Sequence, residues 1–179
     1  MSKNVLIIST SLRKGSNSEI LADAFAKGAK QKDNHVEKIS LCDKTIHFCK
    51  GCLACLKTQR CVMHDDADMI AQKMRHADVI VFATPIYYYE MSGQMKTMLD
   101  RSNPLFESDY AFRDIYLLAT AAEEEKSAMD GAIKGLKGWI DCFEKCALKG
   151  VVYGLGADTA GSVEGTPAVE EAYEMGKRV

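Results

Sequence analysis

The chain has 179 residues, 47% hydrophobic and 27% charged, which fits one domain with a real core and excludes a disordered chain. Its formal net charge of −2 gives no electrostatic support to a nucleic-acid or membrane-surface role, and no apolar run reaches the ~18 residues of a membrane span. Seven cysteines, an odd number, and an N-terminus that enters a strand pattern with no secretory signal point to a cytoplasmic protein whose thiols serve redox or metal chemistry, not a disulfide framework.

The apolar run Val5-Leu6-Ile7-Ile8 predicts a first strand over Asn4–Thr10, followed by a helix over Ser18–Lys30. A weaker alternation at His35–Leu41 predicts the second strand. A cysteine-rich segment over Cys42–Met63 intervenes, and Asp65-Asp66 then opens a helix over Asp66–His76. Val79-Ile80-Val81-Phe82-Ala83, within Asp78–Thr84, reads as a buried central strand. A helix at Ser92–Arg101 with Met95, Met98 and Leu99 on one face comes next. A fourth strand is expected at Asp114–Thr120, a long helix at Ser127–Cys146 and a fifth strand at Leu148–Leu155. Thr166-Pro167 opens a last helix. Strands alternating with helices imply an α/β fold. The expectation is a doubly wound five-stranded parallel sheet in the order 2-1-3-4-5, with helices on both faces. One domain is expected over residues 1–179, with a Cys-rich insertion at about 42–63. In that order the loops after the first and third strands flank the switch point where ligands bind.

The first of these loops reads Ser9-Thr10-Ser11-Leu12-Arg13-Lys14-Gly15-Ser16-Asn17-Ser18. Hydroxyls, one Arg and a helix N-terminus form a phosphate cradle. It holds neither a nucleoside-triphosphate nor a dinucleotide glycine pattern, so a phosphomonoester such as that of FMN fits better; a Ser-rich capped turn is the plainer alternative. The second loop, Thr84-Pro85-Ile86-Tyr87-Tyr88-Tyr89-Glu90-Met91-Ser92-Gly93, offers aromatic surface and backbone polar groups to a flavin ring. Core or interface tyrosines are the alternative there.

Together the Ser-x-Arg-x-x-Ser loop and Pro-Ile-Tyr-Tyr resemble the flavodoxin-like NAD(P)H-dependent FMN reductases and their iron–sulfur flavoprotein relatives, from about Val5 through the last strand. The resemblance implies an FMN phosphate at Ser11, Arg13, Ser16, Asn17 and Ser18. It implies a flavin wrapped by Pro85, Ile86, Tyr87 and Tyr88 and closed by Thr120, Ala121 and Ala122. It also implies NAD(P)H as reductant, a quinone, flavin or other small-molecule electron acceptor or a redox protein, and a homo-oligomer, dimer or tetramer, whose second subunit completes the flavin site. The chain departs from the family at Thr10, where Gly is usual before the first Ser, and at Ala121 and Ala122, where Gly is frequent. Each adds a Cβ where backbone approaches the ligand.

Cys49, Cys52, Cys55 and Cys61 follow the spacing C-x2-C-x2-C-x5-C. Four thiolates so close in sequence can wrap a 4Fe-4S cluster. Zinc, reactive or oxidised thiols, and plain packing stay open; structural zinc usually joins two separated C-x2-C knuckles. The spacing resembles the compact motif of the iron–sulfur flavoproteins, which would place a cluster near a neighbouring subunit's flavin. Cys42, Cys142 and Cys146 are expected to be buried packing residues, and Trp139 to lie in the core or an interface. His64-Asp65-Asp66 reads as a helix cap before a metal site. Hydride transfer to a flavin needs no acid or base from these residues, so no catalytic side chain is expected. The rival readings are a non-enzymatic electron carrier and a redox-sensing binding module.

Overall fold

In the computed structural model, which describes residues 2–179, strand β1 (Asn4–Ser9) leads into helix α1 (Asn17–Ala29) and strand β2 (His35–Ser40). A four-residue helix α2 (Cys55–Thr58) lies inside the cysteine segment, and α3 (Asp66–His76) follows. Strand β3 (Val79–Tyr87), the two-residue β4 (Glu90–Met91) and α4 (Gly93–Arg101) come next. The chain closes with β5 (Asp114–Thr120), α5 (Asp130–Ile140), β6 (Ala147–Gly154) and α6 (Pro167–Lys177).

The five long strands are parallel in the order β2-β1-β3-β5-β6. This is the expected 2-1-3-4-5 order once the short β4 is set aside. Strand alternation divides the apolar side chains into two cores. Leu6, Ile8, Ile80, Phe82, Ile115 and Leu117 face α3, α4 and α5, whereas Val5, Ile7, Val79, Val81 and Leu118 face α1 and α6. Each such side chain contributes roughly 1.5–3 kcal/mol on burial. The two helices of the second face pack backbone to backbone: a methyl group on Gly28 would strike the Tyr173 carbonyl oxygen, and one on Gly176 that of Phe25.

Three boundaries differ from expectation. β3 runs on to Tyr87, so Pro85, Ile86 and Tyr87 are strand and not loop. Proline is tolerated there because β1 stops pairing at Ala83, and Pro85 has a strand neighbour, Thr120, on one side only. The expected long helix at Ser127–Cys146 is shorter. Residues 126–129 form a 3-10 turn, and the helix ends at Ile140. Cys142 therefore lies on a turn and is exposed, not buried, whereas Cys42 and Cys146 are half-buried. Burial pushes the Cys146 thiol up to about 11. Trp139 lies in an aromatic cluster with Phe82, Phe112 and Phe143, and its indole N–H donates to Ser102 Oγ at 2.9 Å. No helix among the described residues is long and apolar enough to cross a membrane.

Candidate functional site

At the carboxyl edge of the sheet lies a cavity of about 200 Å³. Ser11, Arg13, Ser16, Asn17 and Ser18 line it from the loop after β1, and Pro85, Ile86 and Tyr87 from the end of β3. Thr120 and Ala122 line it beyond β5, and Ala157 and Asp158 beyond β6. Sequence reasoning missed the last two, because a loop after the fifth strand carried no motif. Ala121 is buried away from the cavity and Ala122 takes its place on the wall.

Ser16 caps α1, accepting the Glu19 N–H at 3.2 Å. The first turn of a helix has no internal acceptors for its N–H groups, so those of Asn17 and Ser18 remain for a ligand. Asn17 has a second task. Its amide nitrogen donates to the carbonyls of Ala157 (3.1 Å) and Thr159 (2.7 Å), and its oxygen accepts the Val163 N–H. The side chain thereby pins the loop after β6 against the loop after β1. Thr10 adds no bulk to the cradle: it is fully buried, with its hydroxyl 3.0 Å from both the Ala83 carbonyl and Ser92 Oγ. Ser92 also meets Thr84 and caps α4 through the Met95 N–H. One hydroxyl network thus ties β1, β3 and α4 together at the switch point.

Above this edge β3 turns back into β4 through Tyr88 and Tyr89, both left-handed, at φ 51° and 64°. A two-residue turn of this kind normally uses Asn-Gly. Two tyrosines there carry roughly 1–2 kcal/mol of strain each. Helix α5 holds the turn from below, and Gly131 leaves just enough room for the Tyr89 carbonyl. Tyr88 is 100% exposed and lies outside the cavity wall.

Cys49, Cys52, Cys55 and Cys61 line a second cavity, of about 480 Å³, closed by α4, Trp139 and Phe143. None of the cysteines is in a disulfide. No group of three or more metal-ligating side chains is gathered about one ion-sized centre among the described residues. The neck of the segment is held by a buried ion pair that sequence reasoning also missed. Arg101 is 1% exposed and its side chain donates to both Asp65 oxygens at 2.7 Å. It also reaches the His47 carbonyl at 2.7 Å. Asp65 caps α3 through the Ala67 N–H, as its place before the helix implied, and further accepts the His47 N–H at 2.8 Å. Burial pushes the Asp65 pKa up, but the hydrogen bonds from Arg101 and His47 outweigh it and hold the carboxyl well below the usual range. A second pair, Arg60 with Asp68, fixes the far end of the segment.

The family described as NADPH-dependent FMN reductase matches residues 3–160. Among curated proteins, an iron-sulfur flavoprotein of Archaeoglobus fulgidus is 26% identical over 172 residues, 93% of this chain and 74% of that protein. One of Methanosarcina thermophila is 27% identical over 169 residues, 94% of this chain and 85% of that one. Another, from Methanocaldococcus jannaschii, is 37% identical over 101 residues, and this chain spans about half its length (52%). Among solved structures, an azoreductase from Bacillus anthracis superposes with a TM-score of 0.74 at 19% identity, covering 100% of each chain. An NAD(P)H:quinone oxidoreductase from Methanothermobacter marburgensis gives 0.74 at 15% identity, covering 99% of this chain and 94% of that one. At these identities the structural likeness establishes the fold.

Proposed function

We propose that this chain, which belongs to the NADPH-dependent FMN reductase family and is an FMN-dependent oxidoreductase, holds the FMN phosphate at the loop after β1 and the flavin ring under the tyrosine hairpin. The donor set carries this reading: Ser11, Ser16 and Ser18, the cation of Arg13 and a helix N-terminus line one cavity, and such donors suit a dianionic monoester. When bound, FMN supplies a ring that takes a hydride from a reduced nicotinamide and passes electrons on; the protein supplies position and electrostatics. Pro85, Ile86 and Tyr87 wall one side of the ring's place, and Thr120 with Ala122 the other. The acceptor in this reading is a small molecule such as a quinone, and the seven unpaired thiols suit the reducing cytoplasm.

The four thiols of the second cavity fit a 4Fe-4S cluster better than a single zinc. A cluster would take one thiolate at each of its four irons, whereas zinc needs all four sulfurs about one centre at ~2.3 Å. Cys49, Cys52, Cys55 and Cys61 would hold it, and it would supply one-electron capacity beside the flavin chemistry. The large apolar side chains left exposed on this segment, Phe48, Leu53 and Val62, support a homodimer. A monomeric mass by light scattering at micromolar concentration would remove that part of the reading.

The test of the flavin site is Ser11→Ala with Arg13→Ala, which spares the helix cap. FMN affinity should fall by roughly 2–4 kcal/mol through lost charge-assisted bonds. Unchanged FMN retention would sink the assignment. A second reading, a non-enzymatic electron carrier, is favoured by one observation: α4 starts at the hydroxyl network of the switch point and ends at the thiols. Rapid reoxidation by a ferredoxin without any NAD(P)H oxidation would select it.

A further inference from the structure

The four thiols of the second cavity are not equivalent. Cys49 and Cys52 are exposed, and Cys55 and Cys61 are half-buried. Each sulfur of the half-buried pair receives a side-chain donor from the end of α4 or the turn after it. Asn103 Nδ2 donates to Cys55 Sγ at 3.1 Å, and Arg101 Nη2 donates to Cys61 Sγ at 3.3 Å. The Met63 N–H adds a third bond, to Cys61 at 3.5 Å. Cys49 Sγ accepts only the N–H of Gly51, two residues along its own loop, at 3.4 Å. Arg101 is the largest side chain among those fully buried, and its Nε is buried without a partner. A guanidinium is costly to bury, and more so with one N–H unpaired. Asp65 holds the guanidinium in place, and in that position Nη2 is shared among Asp65 Oδ1 (2.7 Å), the Cys61 thiol and the Met63 carbonyl (3.4 Å). Cys142 shares the cavity wall, but its Sγ is turned to the Gly138 carbonyl at 3.4 Å.

We propose that Cys55 and Cys61 are the anchored half of the sulfur ligand set and Cys49 and Cys52 the open half, with Arg101 and Asn103 the positioning residues that create the difference. The proposal rests on the cluster reading of this loop. N–H donors to ligand sulfurs disperse negative charge and so favour the reduced cluster, raising its reduction potential. Solvent, oxidant or chelator reaches the set from the open side, where no donor from the body of the fold holds a sulfur.

The experiment compares anaerobically reconstituted wild type with Asn103→Ala and Arg101→Lys, the latter keeping the charge but losing the fork. Iron and sulfide per chain are measured first, then the midpoint potential by spectroscopic titration. Asn103→Ala should hold as much iron as wild type and titrate at a lower potential, and Arg101→Lys should shift in the same direction. Unshifted potentials in both variants, with or without loss of iron, would overturn the proposal. In parallel, iron-free wild type is treated anaerobically with limiting iodoacetamide and the alkylated thiols are mapped by mass. Cys49 and Cys52 should react several-fold faster than Cys55 and Cys61. Equal rates or the reverse order would overturn the division of the thiols. Wild type that takes up no iron would end the cluster reading, and the alkylation order would still decide the division.

Discussion

The two cavities are built by different means. The one at the sheet edge is made of what the fold supplies everywhere: strand ends, a helix N-terminus and short loops meeting at the switch point. Its polar groups sit on backbone already fixed by the sheet. One wall of the cysteine cavity is an insertion with little regular structure, a 3-10 turn at Leu41–Asp43 and the four-residue α2, and the other is the end of α4 with Trp139 and Phe143. Its order comes from side chains, chiefly one buried ion pair reaching from the end of α4 to the start of α3. The first site inherits its stability from the core, and the second depends on an ion pair whose arginine is part of its own wall.

That contrast can be broken most severely at Arg101. Arg101→Leu leaves Asp65 buried and unpaired, and losing one partner of a buried pair typically costs about 3–5 kcal/mol. Chemical denaturation of the iron-free protein should show this loss, and FMN affinity in the protein that remains folded should be unaffected. An equal fall in FMN affinity would mean that the two cavities are not separately supported. Acid sharpens the same point. The folded Asp65 carboxyl is held below its ordinary value of 3.8, so its contribution is fully present above that value and is lost as pH falls below it. Asp65→Asn should be less stable at neutral pH and show a shallower acid loss than wild type. Parallel acid curves would sink the assignment. The smallest effect is expected at the tyrosine hairpin above the other cavity. Tyr88→Gly relieves a left-handed tyrosine but loosens the unfolded chain, leaving a net gain of about 0.5–1 kcal/mol. Thermal melts would record it, with slower turnover as the cost. A destabilised Tyr88→Gly would show that the tyrosine is not strained.

The difference also explains what was legible in the sequence. The strand order followed from apolar runs such as Val79–Ala83, because a parallel sheet buried on both faces writes itself as continuous hydrophobic sequence. The loop after β1 was legible as part of a cavity wall because strand, hydroxyls and helix cap are adjacent in the chain. The hairpin at Tyr88-Tyr89 was not, since its residues contradict the local turn preference and only packing against Gly131 allows it. In the sequence Arg101 marks only the end of a predicted helix. Nothing near it announces a carboxylate 36 residues away, and pairs at that range are written in no local pattern. Asp158 was missed for the same reason: its loop is placed by Asn17, far back in the chain.

His47 and Asp65 meet at the neck of the cysteine segment, with Arg101 gripping both. The chain between them is a closed ring, tied to the fold again where Arg60 and the Cys61 N–H meet Asp68. Lengthening such a ring is cheap, since doubling a flexible loop adds only about 0.6 kcal/mol of closure entropy. The segment therefore behaves as a cassette. Its interior can be exchanged for another thiol spacing, or for a sequence with no thiols, and the sheet register on either side need not change so long as the clasp of His47, Asp65 and Arg101 and the Arg60–Asp68 tie stay.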